Sequence, residues 1–175
     1  MDQEQSAYDH NKLLKRLQSN NPEAVIETIE ELRVSGITTD VKVLLDLLLS
    51  NNDAAVKSKI VALFANLKDA QTIPYFINAI QDQKFTSVLR ELVSSCWENG
   101  LDYSNYLSVF VDLLIAGDFQ VAFEAYTVIT NMTQTIDQSV VDAEIDKIDN
   151  AIKLANSDKK SLLLDVVDFL PSLGR

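Results

Sequence analysis

The chain has 175 residues, room for one sizeable domain, and 47% hydrophobic with 23% charged residues describes a globular protein and excludes a disordered tail. A formal net charge of -11 argues against a nucleic-acid backbone or an anionic membrane surface as partner, because both select clustered Lys and Arg. A basic partner suits such a chain better, although acidity also serves solubility alone.

Cys96 is the only cysteine, which excludes an internal disulfide and a cysteine metal cluster. It falls in an apolar helical run, where a buried, inert thiol is expected. The opening MDQEQSAYDHNKLLKRL is acidic and polar where a secretory signal would be basic and then apolar. No apolar run approaches the roughly 20 residues of a membrane span. A cytoplasmic protein is the expectation.

In chain order, Leu13, Leu14 and Leu17 form one apolar stripe at helical spacing, which predicts a lone opening helix over 9–19. Asn21 and Pro22 then start a helix that carries Val25, Ile29 and Leu32 on one face. Gly36 suits the left-handed position that ends it. Thr39 or Asp40 is expected to cap a second, leucine-rich helix over 41–50. Further pairs are predicted at 53–67 with 72–81, at 85–99 with 104–116, and at 119–132 with 138–156. A final helix covers 158–170, where Pro171 prevents its continuation. Sustained period-two alternation and hairpin turns are both missing, so the expected class is all-α.

The pairs repeat. In the first helices Val25, Val56, Val88, Ala122 and Leu162 correspond, at spacings of 31, 32, 34 and 40. Four residues on stand Ile29, Ile60, Leu92, Tyr126 and Val166; seven on stand Leu32, Leu63, Ser95, Ile129 and Phe169. In the second helices Val41, Ile73, Leu107 and Val141 correspond. They are followed at plus four by Leu45, Ile77, Val111 and Ile145, and at plus seven by Leu48, Ile80, Leu114 and Ile148. Steps of four and seven share one helix face. One pair cannot bury that face alone, so each must lean on its neighbours.

The clearest unit, DAAVKSKIVALFANLKDAQTIPYFINAIQD (53–82), resembles a HEAT repeat of the short kind also seen in phycobilisome-lyase-type proteins. Thr72-Ile73-Pro74-Tyr75-Phe76-Ile77 matches that family's proline-bearing second helix. The other units depart from it, with Lys42, Ser108 and Asp142 in place of the proline and Arg90 as the one candidate for the usual arginine. The resemblance implies a single domain over 1–175, a right-handed α-α superhelix (a HEAT-like solenoid). Its units would be 21–52, 53–84, 85–118 and 119–157, with caps 7–20 and 158–175. It further implies that second helices line a concave surface used for protein binding. The implied function is a non-catalytic scaffold or adaptor without a cofactor. The alternative is an accessory enzyme of the phycobilisome-lyase type, joining a chromophore to a protein. A HEAT-like DNA glycosylase fits poorly with the charge.

Residues that carry chemistry are scarce. His10 is the only histidine and is expected to be solvated near the terminus, so a catalytic triad or a histidine metal site lacks its parts. No pair of carboxylates stands out for acid–base work. Phosphate-cradling loops and calcium-loop spacings are both missing.

Two surface constellations remain. At plus five in the second helices stand Asp46, Asn78, Asp112 and Asp146, off the buried face and aligned along the expected concave side. With helix axes about 10 Å apart, neighbouring carboxylates repel by only about 0.4 kcal/mol in water, so the ladder costs little. It would offer a track to a basic or amide-rich segment of a protein partner; a solvated face in an acidic protein is the other reading. The second is aromatic: Phe85, Trp97, Tyr103, Tyr106, Phe110, Phe119, Phe123 and Tyr126. Most are expected to fill the interface between the third and fourth pairs. Trp97, Tyr103 and Tyr106, beside the Gly100 turn, and Tyr75, at plus two, are candidates for a binding surface.

Overall fold

A computed structural model describes residues 10–175. The part of the expected first cap that precedes residue 10 lies outside them. Helix α1 is described over 10–16 and is followed by α2 (Pro22–Ser35), α3 (Asp40–Ser50), α4 (Ala54–Phe64) and α5 (Ile73–Gln81). The chain continues through α6 (Leu89–Glu98), α7 (Leu107–Ala116), α8 (Phe119–Thr130), α9 (Gln138–Ile152) and α10 (Ser157–Phe169). Among the described residues there is no strand, only an isolated parallel bridge between Ile136 and Gly174. The protein is all-α.

Helix α2 lies against α4, α4 against α6, α6 against α8 and α8 against α10; α3 meets α5, and α7 meets α9. The repeating apolar positions explain this. Val41, Ile73, Leu107 and Val141 are all buried, as are Leu48, Ile80, Leu114 and Ile148. Leu45, Ile77 and Val111 are buried too, while Ile145 is half-buried. In the first helices Tyr126 and Phe169 are the two half-buried exceptions. Truncating a leucine such as Leu48 or Leu114, each 0% exposed, to alanine would cost about 2–5 kcal/mol.

Helix starts follow the short polar side chains. Asn21, Asp53, Asp118, Asp137 and Asn156 each accept a backbone N–H of the first turn. Asp40 departs from its expected capping role. It is the first residue of α3 and accepts instead from the Ile37 amide and from His10. The predicted helix at 85–99 is also shorter. Residues Gln83–Val88 form a 3-10 turn opened by Asp82, and α6 begins only at Leu89. Gly36 does not take the left-handed conformation: its φ is -67° and ψ 155°. It is needed because a Cβ there would clash with the Leu32 carbonyl oxygen. Gly100, with φ 68°, is the residue that turns left-handed.

The inter-helix turns are stitched across units. Asp69 accepts a 2.5 Å bond from Thr38, one turn back. Asp102, in the equivalent turn one unit later, bonds forward to the amides of Thr133 and Gln134 at 2.9 and 3.1 Å. Lysines close helix ends from a distance, where a cation complements the unsatisfied carbonyls. Lys68 Nζ donates to the Asn99 carbonyl at 2.6 Å, and Lys159 Nζ to those of Ile115 and Gly117 at 2.5 and 2.8 Å. Residues 173–175 pair with the α8–α9 loop through Ile136 N to Leu173 O, Gln138 N to Arg175 O and Arg175 N to Ile136 O. That loop carries part of the extra length of the fourth unit, and α9, at 15 residues, carries the rest.

Candidate functional site

Asp46, Asn78, Asp112 and Asp146 are all exposed, as a plus-five position beside a buried apolar stripe must be. Two of the three carboxylates lie near a lysine of the following helix pair. Lys84 Nζ stands 3.6 Å from Asp46, and Lys147 Nζ 3.0 Å from Asp112, each crossing to the neighbouring unit. Lys147 also lies 2.8 Å from Glu144, which is 5% exposed and accepts a 2.6 Å bond from Ser108 Oγ. Part of the ladder therefore braces α7 against α9. Neither lysine stands out in the sequence, because each meets its carboxylate only when successive units stack. The available signal was a Lys about one unit downstream of each Asp.

Three of the candidate residues come together. Asp46 on α3 and Tyr75 and Asn78 on α5 line one groove of about 280 Å³, with Lys42, Asp82 and Lys84 at its edges and Leu45, Ala79 and Phe85 as its apolar wall. Tyr75 is half-buried. Two carboxylates, an amide, a phenol and an apolar wall can hold an extended peptide and a cationic side chain.

The aromatic candidates separate. Trp97, 37% exposed, keeps its indole edge bonded to Glu124, and Tyr106 is half-buried. Tyr103 is core, a correction to its place among surface candidates. It is 1% exposed, packs edge-on to Phe110 at 5.6 Å and accepts a bond from Asn99 Nδ2 at 3.1 Å. Burial raises its phenol far above the ordinary value. Phe119 and Phe123 reverse the other way: expected in the interface, they are 49% and 48% exposed. Phe123 follows Ala122, whose face is the buried one, and so points away from it. Its ring lies 6.5 Å from Phe119 and 6.2 Å from Tyr126, a small aromatic strip on the outer side of α8.

Chemistry elsewhere is muted. Contrary to the expectation of a solvated side chain, His10 is not free in solvent. Its Nε2 is 2.8 Å from Asp40 Oδ1, because α1 folds back onto the start of α3. Cys96 is fully buried and donates to the Leu92 carbonyl, and burial pushes its thiol up to about 12, so it holds no thiolate at neutral pH. Among the described residues no group of three or more His, Cys, Asp or Glu is placed to hold a metal ion. No described helix is long and apolar enough to cross a membrane.

No model of a known protein family matches the chain, and no curated protein matches it.

Proposed function

We propose that the chain is a single-domain, HEAT-like solenoid, a right-handed superhelix of four helix pairs with a helix at each end. In this reading it acts as a non-catalytic adaptor in the cytoplasm. It binds a protein, rather than nucleic acid or membrane, along the face made by α3, α5, α7 and α9. The observation that carries the proposal is the convergence of Asp46, Tyr75 and Asn78, from two successive second helices, on one groove. Supporting it, all four plus-five side chains reach the surface beside buried stripes that hold their helices in fixed register. The buried thiol of Cys96 speaks against a role in covalent chromophore transfer.

Affinity capture from the native lysate tests the proposal, with wild type beside the triple variant Asp46→Asn, Asp112→Asn, Asp146→Asn. A second triple on first helices, Glu23→Gln, Glu27→Gln and Glu91→Gln, controls for net charge. The proposal expects a partner retained by wild type and by the control and lost by the first triple. Equal retention by all three would contradict it.

A further inference from the structure

The plus-five carboxylates show what a second helix offers to the pair that follows it. Asp46 meets Lys84 and Asp112 meets Lys147, each lysine coming from the next pair. Asp146, the corresponding residue of α9, is exposed and has no Lys or Arg within 4 Å among the described residues. On the same side of α9 stand Asp142, one turn before it, and Asp149, one turn after, both exposed. Among the described residues only Asp142 of the three receives a side-chain donor, the uncharged amide of Gln138 at 2.8 Å. Beside them Ile145 is half-buried, whereas Leu45, Ile77 and Val111 at the same repeat position are buried. This side of α9 therefore resembles an interface between pairs that has lost its other half.

The start of the chain carries the opposite charge. Helix α1 repeats the second-helix pattern: Leu13 and Leu17 are buried, as are Leu44 and Leu48, 31 residues later. His10 bonds Asp40, which places α1 before α3 as one second helix precedes the next. In this register Arg16 corresponds to Lys147, the lysine that reaches back to Asp112, and Lys12 lies one turn earlier on the same face. Arg16 is held by Glu31 at 2.7 Å. Lys12 and Lys15 are exposed, and no carboxylate lies within 4 Å of either among the described residues. With Leu14 and Val43 they line a groove whose only charged side chains are these two lysines.

We propose that these two ends are halves of one interface, and that the surface of α1 receives a second copy of this chain through its α9. Asp142, Asp146 and Asp149 of one copy face Lys12 and Lys15 of the other, continuing between copies the aspartate-to-lysine contacts that join helix pairs within one. Ile145 gains the cover that its counterparts already have. The two surfaces differ, so each new contact leaves one free end of each kind, and assembly proceeds head to tail into linear oligomers. The ion pairs are exposed and a net charge of -11 on each copy opposes approach, so association is weak and grows with concentration. It is independent of any protein bound along the second-helix face.

Sedimentation velocity of the full chain over a concentration series tests this. The weight-average sedimentation coefficient of wild type should rise with concentration. Lys12→Gln with Lys15→Gln should weaken self-association about five- to tenfold, the effect of two exposed ion pairs together. Lys12→Glu with Lys15→Glu, and separately Asp146→Lys with Asp149→Lys, should each stay monomeric alone, because like charges then meet. Mixed in equal amounts, these two proteins should assemble again, since every end finds its complement on the other. Glu91→Lys with Glu98→Lys makes the same change in net charge on α6 and should associate at least as well as wild type. Circular dichroism checks that each variant keeps its helices, and the glutamine pair carries the test if a charge-reversed one does not. A wild type that is monomeric at every concentration would overturn the proposal. So would end variants that associate as wild type does, or a mixture of the two that stays monomeric.

Discussion

The indole Nε1 of Trp97 donates a 2.8 Å hydrogen bond to Glu124 Oε2, which ties α6 to α8 across the third and fourth helix pairs. Glu124 is 8% exposed, and its other oxygen lies 3.4 Å from Arg90 Nε. Glu124→Ala strips both donors of their acceptor and should lower the unfolding free energy by about 1–3 kcal/mol. Glu124→Gln keeps an acceptor oxygen and should lose less. Urea unfolding followed by the fluorescence of Trp97, the one tryptophan, measures both. An alanine variant as stable as wild type would contradict the account of this contact.

The two cross-unit lysines should behave differently on removal. Lys84→Met breaks only exposed, long contacts and should cost less than about 1 kcal/mol. Lys147→Met leaves Glu144 buried with Ser108 as its remaining partner and should cost about 3 kcal/mol. Paired denaturation curves decide, and equal losses would contradict the distinction between the loose contact and the brace.

The turn carboxylates make the fold sensitive to acid. Burial raises the Asp102 carboxyl, but bonds from Ser104 and Thr133 outweigh it and hold the group below its ordinary 3.8. Bonds from Thr38 and from Ser139 do the same for Asp69 and Asp137. Each group thus takes up its proton at lower pH when folded than when unfolded. The stability this contributes is complete above the unfolded value and is lost as pH falls through the lower, folded one. Wild type should therefore melt higher than Asp102→Asn at pH 6, and that advantage should shrink below pH ~3.8 as protons bind. Melting temperatures across this range check it; a gap that widens on acidification would reverse the sign.

Gly117 and Gly100 resist substitution for different reasons. Gly117 has φ -64°, open to any residue, but a Cβ there would lie 2.6 Å from the Leu113 carbonyl oxygen and 2.9 Å from Val121 Cγ1. Gly100 has room for a side chain but sits at φ 68°. Gly100→Ala should cost about 1–2 kcal/mol, and Gly100→Asn less, because Asn tolerates the left-handed region. At Gly117 both replacements should be equally damaging, since the clash is with the first side-chain atom. Thermal melts of the four variants separate conformational strain from steric clash.

Much of this was legible in the sequence because it is periodic. Val41, Ile73, Leu107 and Val141 mark the buried face by spacing alone, and Asn21, Asp53 and Asp118 mark helix starts by chemistry that is local to them. What failed was whatever depends on the neighbouring unit. Tyr103 reads as a turn aromatic but is roofed by the helix that carries Phe110, and Phe119 and Phe123 read as core although their helix faces them outward. His10 and Asp40 are 30 residues apart, and no local pattern pairs them. The pairing of Lys84 with Asp46 is hidden for the same reason. Register within a helix can be read from one strand of text; what stands across from it cannot.

The most direct measurement is site-specific photo-crosslinking in the native lysate, with the photoreactive residue placed at Asn78 on the second-helix face or at Phe123 on the outer side of α8. The account predicts a discrete partner crosslinked from position 78 and none from position 123. A partner trapped from 123 and not from 78 would move the binding surface to the aromatic strip and contradict the central claim.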